Sequence, residues 1–342
     1  MTTPEIGTDR NANAELHEKN KGGHRWGVIL AGGDGKRLLS LTRSISGDER
    51  PKQFCAVMNK ETLLQQTQRR ISRLIAPHQS FIVLTSKHER YYADQMDGMW
   101  SSRLVIQPQN RGTAPAILCG LLRVEEKDPE AIVAIFPSDH HYSDGEAFLA
   151  YMDLAYDIAA SRSSTVILLG IPAETPEADY GWIEPETAET CSVSDTVLPV
   201  KRFWEKPDRA LASELMQRGC LWNSFVMVGH VSAFMKLIRS TLPDLVASFE
   251  LTRAASILGN GPSALATVYA SIRSSCFSND VLAMRPRDLG VLPAKGLGWS
   301  DLGEPGRVLS VLARKGIQPV ASEIPAYGER SRMAAAHLTA TG

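Results

Sequence analysis

Hydrophobic positions in this chain fall into short unbroken runs, separated by segments in which apolar residues recur every three or four places. Trp26–Ala31, Ser80–Thr85, Leu104–Gln107, Ala131–Phe136 and Thr165–Ile171 are the runs, and such unbroken stretches mark strands buried on both faces. Between them, Leu63–Ile75 aligns Leu63, Leu64, Thr67, Ile71, Leu74 and Ile75 on one helical stripe. Helical patterns recur near His88–Met96, over Ala114–Val124 and over Phe148–Ala160. This alternation predicts an α/β fold, with a Rossmann-like, mixed but mostly parallel sheet flanked by helices. From about residue 177 the rhythm changes: strand-like pieces at Tyr180–Ile183, Thr196–Trp204 and Leu221–Val228 surround a short helix, Arg209–Arg218. Helical segments follow Gly229, then a strand near Asp288–Leu292 and a last helix from about Glu304 to Arg314. One domain over 25–325 is expected, made of a core at 25–229 and an extension packed on it at 230–325. A disordered head (1–24) and a loose tail (326–342) flank it.

Charge and cysteine usage narrow the partners. Lys and Arg total 37 against 38 Asp and Glu, a net charge of −1, so no bulk field draws nucleic acid or an anionic membrane surface. No apolar run approaches the ~20 residues of a membrane span. Residues 1–24 are polar, without the apolar stretch of a signal peptide. Cys55, Cys119, Cys191, Cys220 and Cys276 are scattered without a CxxC pair, which argues against a disulfide framework or a zinc site. A soluble, cytoplasmic protein with neither nucleic-acid nor membrane partner is the expectation.

In a largely parallel sheet, ligands gather beyond the carboxyl ends of the strands. The first such end reads WGVILAGGDGKRL (26–38). It lacks the third glycine of GxGxxG, Leu38 standing there, and no GK[ST] follows. Glycines let backbone N–H groups approach phosphate oxygens, and Lys36, Arg37 and, in RPKQF, Lys52 add positive charge. A phosphate-rich nucleotide is the natural guest. Asp139 follows the buried strand AIVAIF, and Asp301 lies far downstream in GWSDLG. Brought together, two carboxylates suit Mg2+; taken singly, each also reads as a turn or cap aspartate. His140 and His141 are adjacent, and adjacent residues rarely share a ligand face, so a transition-metal site is not expected there.

LAGGDGKRL followed by PKQF resembles the signature of sugar-1-phosphate nucleotidyltransferases. QPQNRGTAPAI (107–117), FPSDHHYSD (136–144), GIPAETPEADYGWIE (170–184), FWEKPD (203–208), LWNSF (221–225) and GWSDLG (298–303) follow in the order and rough spacing of the mannose-1-phosphate guanylyltransferase group, over about residues 25–312. The resemblance implies the nucleotide-diphospho-sugar transferase fold. It also implies attack of a sugar-1-phosphate oxygen on the α-phosphorus of a triphosphate, with GTP and mannose 1-phosphate as substrates and Mg2+ at Asp139 and Asp301. Arg37, Lys52 and Lys206 become the catalytic cations. Leu30, Ala31, Gly32, Gly33, Gly35, Lys36, Asn110, Arg111, Gly112 and Thr113 become nucleotide-binding. Tyr180, Gly181, Glu205, Lys206 and Asn223 become the sugar-phosphate site. The attacking phosphate is already anionic, so the task is to bring two anions together, and no general base is needed.

The chain departs from that pattern in four places. Residues 38–51 (LLSLTRSISGDERP) are expected to form a longer loop than usual, and residues 33–50 are expected to be mobile without ligand; Ser40 stands where proline is common, Gly112 where asparagine is frequent, and Phe225 where glycine is usual. Another pair, such as glucose 1-phosphate with UTP or dTTP, stays open. A non-catalytic nucleotide-sugar sensor is the alternative outside enzymes, and Arg37, Lys52, Asp139, Lys206 and Asp301 all speak against it. A nicotinamide oxidoreductase fails on the missing third glycine. A homodimer is compatible with these expectations.

Overall fold

A computed structural model describes residues 23–96, 101–186, 196–257 and 261–317. The expected loose tail, all but the end of the expected disordered head, and Cys191 lie outside the described residues. Four strands open the sheet: β1 (Arg25–Leu30), β2 (Ser80–Thr85), β3 (Leu104–Gln107) and β4 (Ile132–Pro137). They run parallel, with Gly27 opposite Ser80, Ile82 opposite Leu104 and Arg25 opposite Ile132. The remaining long strands are β6 (Val166–Pro172), β7 (Gly181–Pro185), β8 (Leu198–Glu205), β9 (Leu221–His230) and β10 (Leu289–Pro293). The nine-stranded order is β3-β2-β1-β4-β9-β6-β10-β8-β7. β9 lies antiparallel between β4 and β6, and β10 pairs parallel with β6. The sheet is mixed and mostly parallel on its first half, as the apolar runs predict. β10, from the expected extension, lies inside it.

Helices cover both faces. α1 (Leu39–Ser46), α2 (Leu63–Ile71), α3 (Thr113–Lys127), α4 (Gly145–Ser161) and α5 (Arg209–Gln217) lie in the first part of the chain. α6 (Val231–Thr241), α7 (Pro243–Ile257), α8 (Gly261–Ser271) and α9 (Pro305–Arg314) follow, and the helix expected near His88–Met96 is a single α-turn, Glu89–Tyr92, between two 3-10 turns. α3, α6 and the apolar residues of α7 and α8 form one core with Val28, Val83, Val133 and Leu168. α2 and α4 form the other with Ile29, Ile82, Phe136 and Ile167. Alternate residues of each strand thus feed opposite cores, and each fully buried Leu, Ile or Phe contributes about 1.5–3 kcal/mol. α2 starts at a capping box between Thr62 and Gln65, and Asp144 caps α4 through the Ala147 N–H.

Residues 38–51, expected as a loop, are largely helical. Lys36–Leu38 form a 3-10 turn and α1 follows, ended by Gly47 at φ +77°. Leu38 and Leu41 are buried with Cys55, Met58, Leu302, Val308 and Leu312, a small third core shared with α9. Spacing of the apolar residues in LLSLTRSIS carries this helix, and the flanking glycines masked it.

One further pairing positions the site. β5 (His141–Tyr142), just after β4, pairs antiparallel with β11 (Trp299–Ser300), Ser300 opposite His141. Loops far apart in the chain are thereby tied side by side.

Candidate active site

The first turn leaves β1 at the carboxyl edge of the parallel strands. Gln53 Nε2 donates to the carbonyls of Ala31 (3.0 Å) and Gly33 (2.7 Å), and Thr85 Oγ1 to that of Gly32 (3.0 Å). A Cβ at Gly32 would stand 2.8 Å from Thr85 Oγ1 and 2.9 Å from Gln107 Nε2, so this close approach needs glycine. Gly35 adopts φ +58° directly against Lys52 N. Lys36 and Arg37 lie toward solvent, and Arg37 pairs with Asp179 at 3.2 Å. Asp34 pairs with Lys87 (2.7 Å) and faces His88 (3.3 Å). Burial works against its charge, but Lys87, His88 and Lys36 outweigh it and hold the carboxyl below its usual range.

Asn110–Thr113 form the second turn. A cavity of about 360 Å³ is lined by Leu30, Gly32 and Gly33 from the first turn, Asn110, Gly112 and Thr113 from the second, and Asp139, His140 and Phe225. Six of the residues implied for the nucleotide therefore meet at one cavity. Arg111 is turned elsewhere: its Nε donates to the Tyr269 carbonyl at 2.8 Å. Thr113 does not cap α3 but accepts from the Phe277 N–H at 2.8 Å, while Gly112 at φ +92° starts the helix. A Cβ on Gly112 would lie 2.2 Å from the Ser275 carbonyl oxygen. The second turn is thus clamped by residues 269–277.

Lys52 gathers the charged centre. Its Nζ lies 3.3 Å from Asp139 Oδ2 and donates to the carbonyls of Asp301 and Leu302. Asp301 Oδ1 accepts from Arg307 (2.9 Å), the Gly303 N–H (2.9 Å) and the Tyr180 hydroxyl (3.1 Å). Burial would raise the pKa of Asp301, but His140, Arg307 and Lys52 outweigh it, so the carboxyl sits below its usual range. His140 is half-buried, and the burial it has pushes its pKa down to about 4. Its Nδ1 accepts from Trp299 Nε1 at 3.2 Å, which assigns the proton to Nε2, 3.9 Å from Asp139 Oδ1. His141 points to Ser143 instead (3.3 Å), and burial also lowers it to about 4.

Lys52 touches the Asp139 carboxylate and the Asp301 backbone, and carboxylates of this type are donors that Mg2+ takes alongside phosphate oxygens and water. Among the described residues no group of three His, Cys, Asp or Glu could hold a metal. A pair of carboxylates suits a hard ion that completes its shell with substrate oxygens.

The residues implied for the sugar also converge. Gly181 stands opposite Glu205 in the β7–β8 register, and a Cβ on it would lie 2.9 Å from Glu205 Oε2 and 3.3 Å from Asn223 Cβ. Burial raises the Glu205 pKa, with Lys206 and Ser278 opposing. Lys206 N donates to the Tyr180 carbonyl at 3.1 Å, and the Tyr180 ring lies 5.1 Å from both Trp222 and Trp299. Among the described residues the only non-glycines at positive φ are Lys206 (+47°), Phe225 (+61°) and Leu302 (+48°). All three lie in this site, each holding a backbone that costs roughly 1–3 kcal/mol. Sequence reasoning missed Arg307, Glu177 and Asp179; Gln53 was in view within PKQF but had no role there.

Residues 26–314 match the family model described as nucleotidyl transferase. The alginate biosynthesis protein AlgA of Pseudomonas syringae pv. tomato is 29% identical over 287 residues, covering 81% of this chain and 56% of that protein. A mannose-1-phosphate guanylyltransferase of Escherichia coli is 28% identical over 281 residues, covering 81% and 57%. The chain spans less than two thirds of the length of these curated relatives. Among solved structures, a Thermus thermophilus protein described as a mannose-1-phosphate geranyltransferase superposes with a TM-score of 0.71 at 26% identity, over 86% of this chain and 80% of its own.

Proposed function

This chain belongs to the nucleotidyl transferase family, and from that premise we propose that it transfers the guanylyl group of GTP to mannose 1-phosphate, forming GDP-mannose and pyrophosphate. The observation that carries the reading is Lys52, which touches Asp139 and the backbone of Asp301 beside the cavity shared by both turns. An oxygen of the sugar phosphate attacks the α-phosphorus, and the bond to the β-phosphate oxygen breaks. Pyrophosphate leaves with that electron pair, and no proton has to move.

In this reading the glycine turn and the Asn110–Thr113 turn hold the nucleotide, with Arg37 and Lys52 near its phosphates. Arg37 must give up Asp179 to reach them. Glu205 and Asn223 hold sugar hydroxyls beside Gly181, and Lys206 reaches the sugar phosphate. Asp139 and Asp301 would hold Mg2+, which when bound neutralises charge on the phosphates. Mannose and guanine are favoured by the relatives named for mannose-1-phosphate guanylyl transfer. A cytoplasmic protein fits these substrates, and among the described residues no helix is long and apolar enough to cross a membrane.

The test is pyrophosphate release across a matrix of GTP, UTP, dTTP and ATP against mannose 1-phosphate and glucose 1-phosphate. GTP with mannose 1-phosphate should exceed every other pair by roughly tenfold or more in kcat/KM. A higher value for another pair replaces the substrates, and inertness with all of them sinks the reaction.

A further inference from the structure

Arg307 is the most crowded cation at the site, and neither the local sequence pattern nor the proposed reaction assigns it a task. From the first turn of α9, its three guanidinium nitrogens serve three acids: Asp301 (2.9 Å), Glu177 (2.9 Å) and Glu304 (3.5 Å). Asp179 lies 3.8 Å away and in turn pairs with Arg37. The guanidinium also lies 4.3 Å from the centre of the Tyr180 ring, whose hydroxyl donates to Asp301. Its side chain is 12% exposed and that of Asp301 15%, so this one pair is poorly screened, while Asp179 and Glu304 are about half exposed.

Two physical consequences follow. First, a planar fork gripping both Asp301 and Glu177, with an aromatic ring under it, fixes where the Asp301 carboxylate points, which a flexible ammonium does less well. Second, Arg307 offsets charge. Asp301, Glu177, Asp179 and Glu304 carry four negative charges, and Arg307 lies within 4 Å of all four, whereas Arg37 pairs with Asp179, Arg209 lines the same cavity and Lys52 acts on Asp301. Three of those acids also line a cavity of about 440 Å³ together with Arg307 and Arg209. Without Arg307 the acids would attract any free divalent cation, whether or not a nucleotide was present.

We propose that Arg307 is a positioning residue that orients Asp301 and suppresses cation binding there until a nucleotide supplies the remaining ligands. Metal and triphosphate then arrive together. The inference rests on Asp301 as a metal carboxylate but not on the identity of base or sugar.

The experiment titrates Mn2+ into the nucleotide-free full chain and follows free Mn2+ by electron paramagnetic resonance. Wild-type protein should bind Mn2+ weakly alone and tightly once GTP is added. Arg307→Ala should bind it tighter without nucleotide, on the order of tenfold to a hundredfold, because a neighbouring positive charge is gone. Arg307→Lys keeps the charge, so its Mn2+ affinity should stay within about threefold of wild type, while kcat falls roughly tenfold from lost orientation. The gain must disappear in the Arg307→Ala/Asp301→Asn double variant. If Arg307→Ala does not fold, Arg307→Gln carries the same titration.

Mn2+ binding that is unchanged or weakened in the uncharged variant overturns the proposal. So does tight Mn2+ binding by nucleotide-free wild type, or a gain that survives the double variant. Because the titration needs no acceptor, its answer stands even if mannose 1-phosphate proves to be the wrong sugar.

Discussion

At the nucleotide end of the site the shape is set by backbone. Gly32 packs against Thr85 and Gln107, Gly112 against the Ser275 carbonyl, and the cavity there is lined mainly by small or neutral residues. At the opposite end the shape is set by charged side chains: Lys52, Asp139, Asp301, Arg307, Glu177 and Asp179 hold one another in place. A backbone wall offers N–H groups that do not titrate and cannot swing away, but it tolerates no added atom. The charged network can be altered one member at a time, and each loss leaves a partner unbalanced. Substitutions at the first end should therefore act on folding and nucleotide affinity together, and those at the second should separate turnover from stability.

Lys52→Ala puts the heaviest strain on this contrast. It removes the cation beside Asp139 and the donor to two backbone carbonyls at the charged centre. kcat/KM for both substrates should fall roughly 10²- to 10⁴-fold with the fold intact, measured by pyrophosphate release and circular dichroism. A loss below tenfold would remove Lys52 from the centre of the site. Gly112→Ala comes next. Its Cβ meets the Ser275 oxygen at 2.2 Å in a left-handed backbone, so about 3 kcal/mol of stability should be lost. Calorimetry should show a melting point lower by roughly 4–6 °C, and GTP affinity should drop with it. An alanine variant that melts like wild type would show that residues 269–277 do not clamp this turn.

Lys206→Ala should be milder, because Lys206 is exposed and makes its main proposed contact with substrate. Loss of one charge-assisted phosphate contact predicts about 2 kcal/mol, or roughly 30-fold in kcat/KM for the sugar phosphate, with GTP affinity unchanged. Equal losses for both substrates would place Lys206 elsewhere. The smallest effect belongs to Glu184, away from the chemistry. Its buried carboxylate pairs with Arg218 and with Lys201 at 3.1 Å. Burial opposes its charge, but Lys201 and Arg218 prevail and depress its pKa. A depressed carboxylate pKa stabilises the fold above the unfolded-state value, and that contribution is lost as pH falls through the folded value. Glu184→Gln should therefore cost on the order of 1 kcal/mol at pH 7 and converge with wild type as pH falls from the unfolded carboxyl's pKa through the lower, folded one. A difference that does not shrink with acid would assign the loss to packing.

Much of the fold was legible because burial imposes a local period. Ser80–Thr85 and Leu104–Gln107 appear as strands with the bounds expected from their apolar runs, and the other sheet strands lie within about two residues of theirs. α1 escaped because the glycines around it suggested a loop, and its buried stripe is short. At the site, Gly32, Asn110, Asp139, Glu205 and Asn223 could be named from motifs; the first three line one cavity, and the last two stand beside Gly181. Where their side chains point could not be named. Arg111 sits in the expected turn yet serves the Tyr269 carbonyl, and Thr113 receives the Phe277 N–H instead of capping its own helix.

The order of strands and helices, the glycine turns and the residue types able to meet phosphate were determined by the sequence alone. Each depends on neighbours a few positions away, through hydrophobic periodicity or the freedom of a missing Cβ. Tertiary structure decided which charges meet. Lys52 reaches Asp301 across 249 residues and Arg307 reaches Glu177 across 130, distances over which no local pattern carries information. Those meetings exist because β11 pairs with β5 and because α9 shares a small core with α1, which brings the last described helix onto the first turn of the chain.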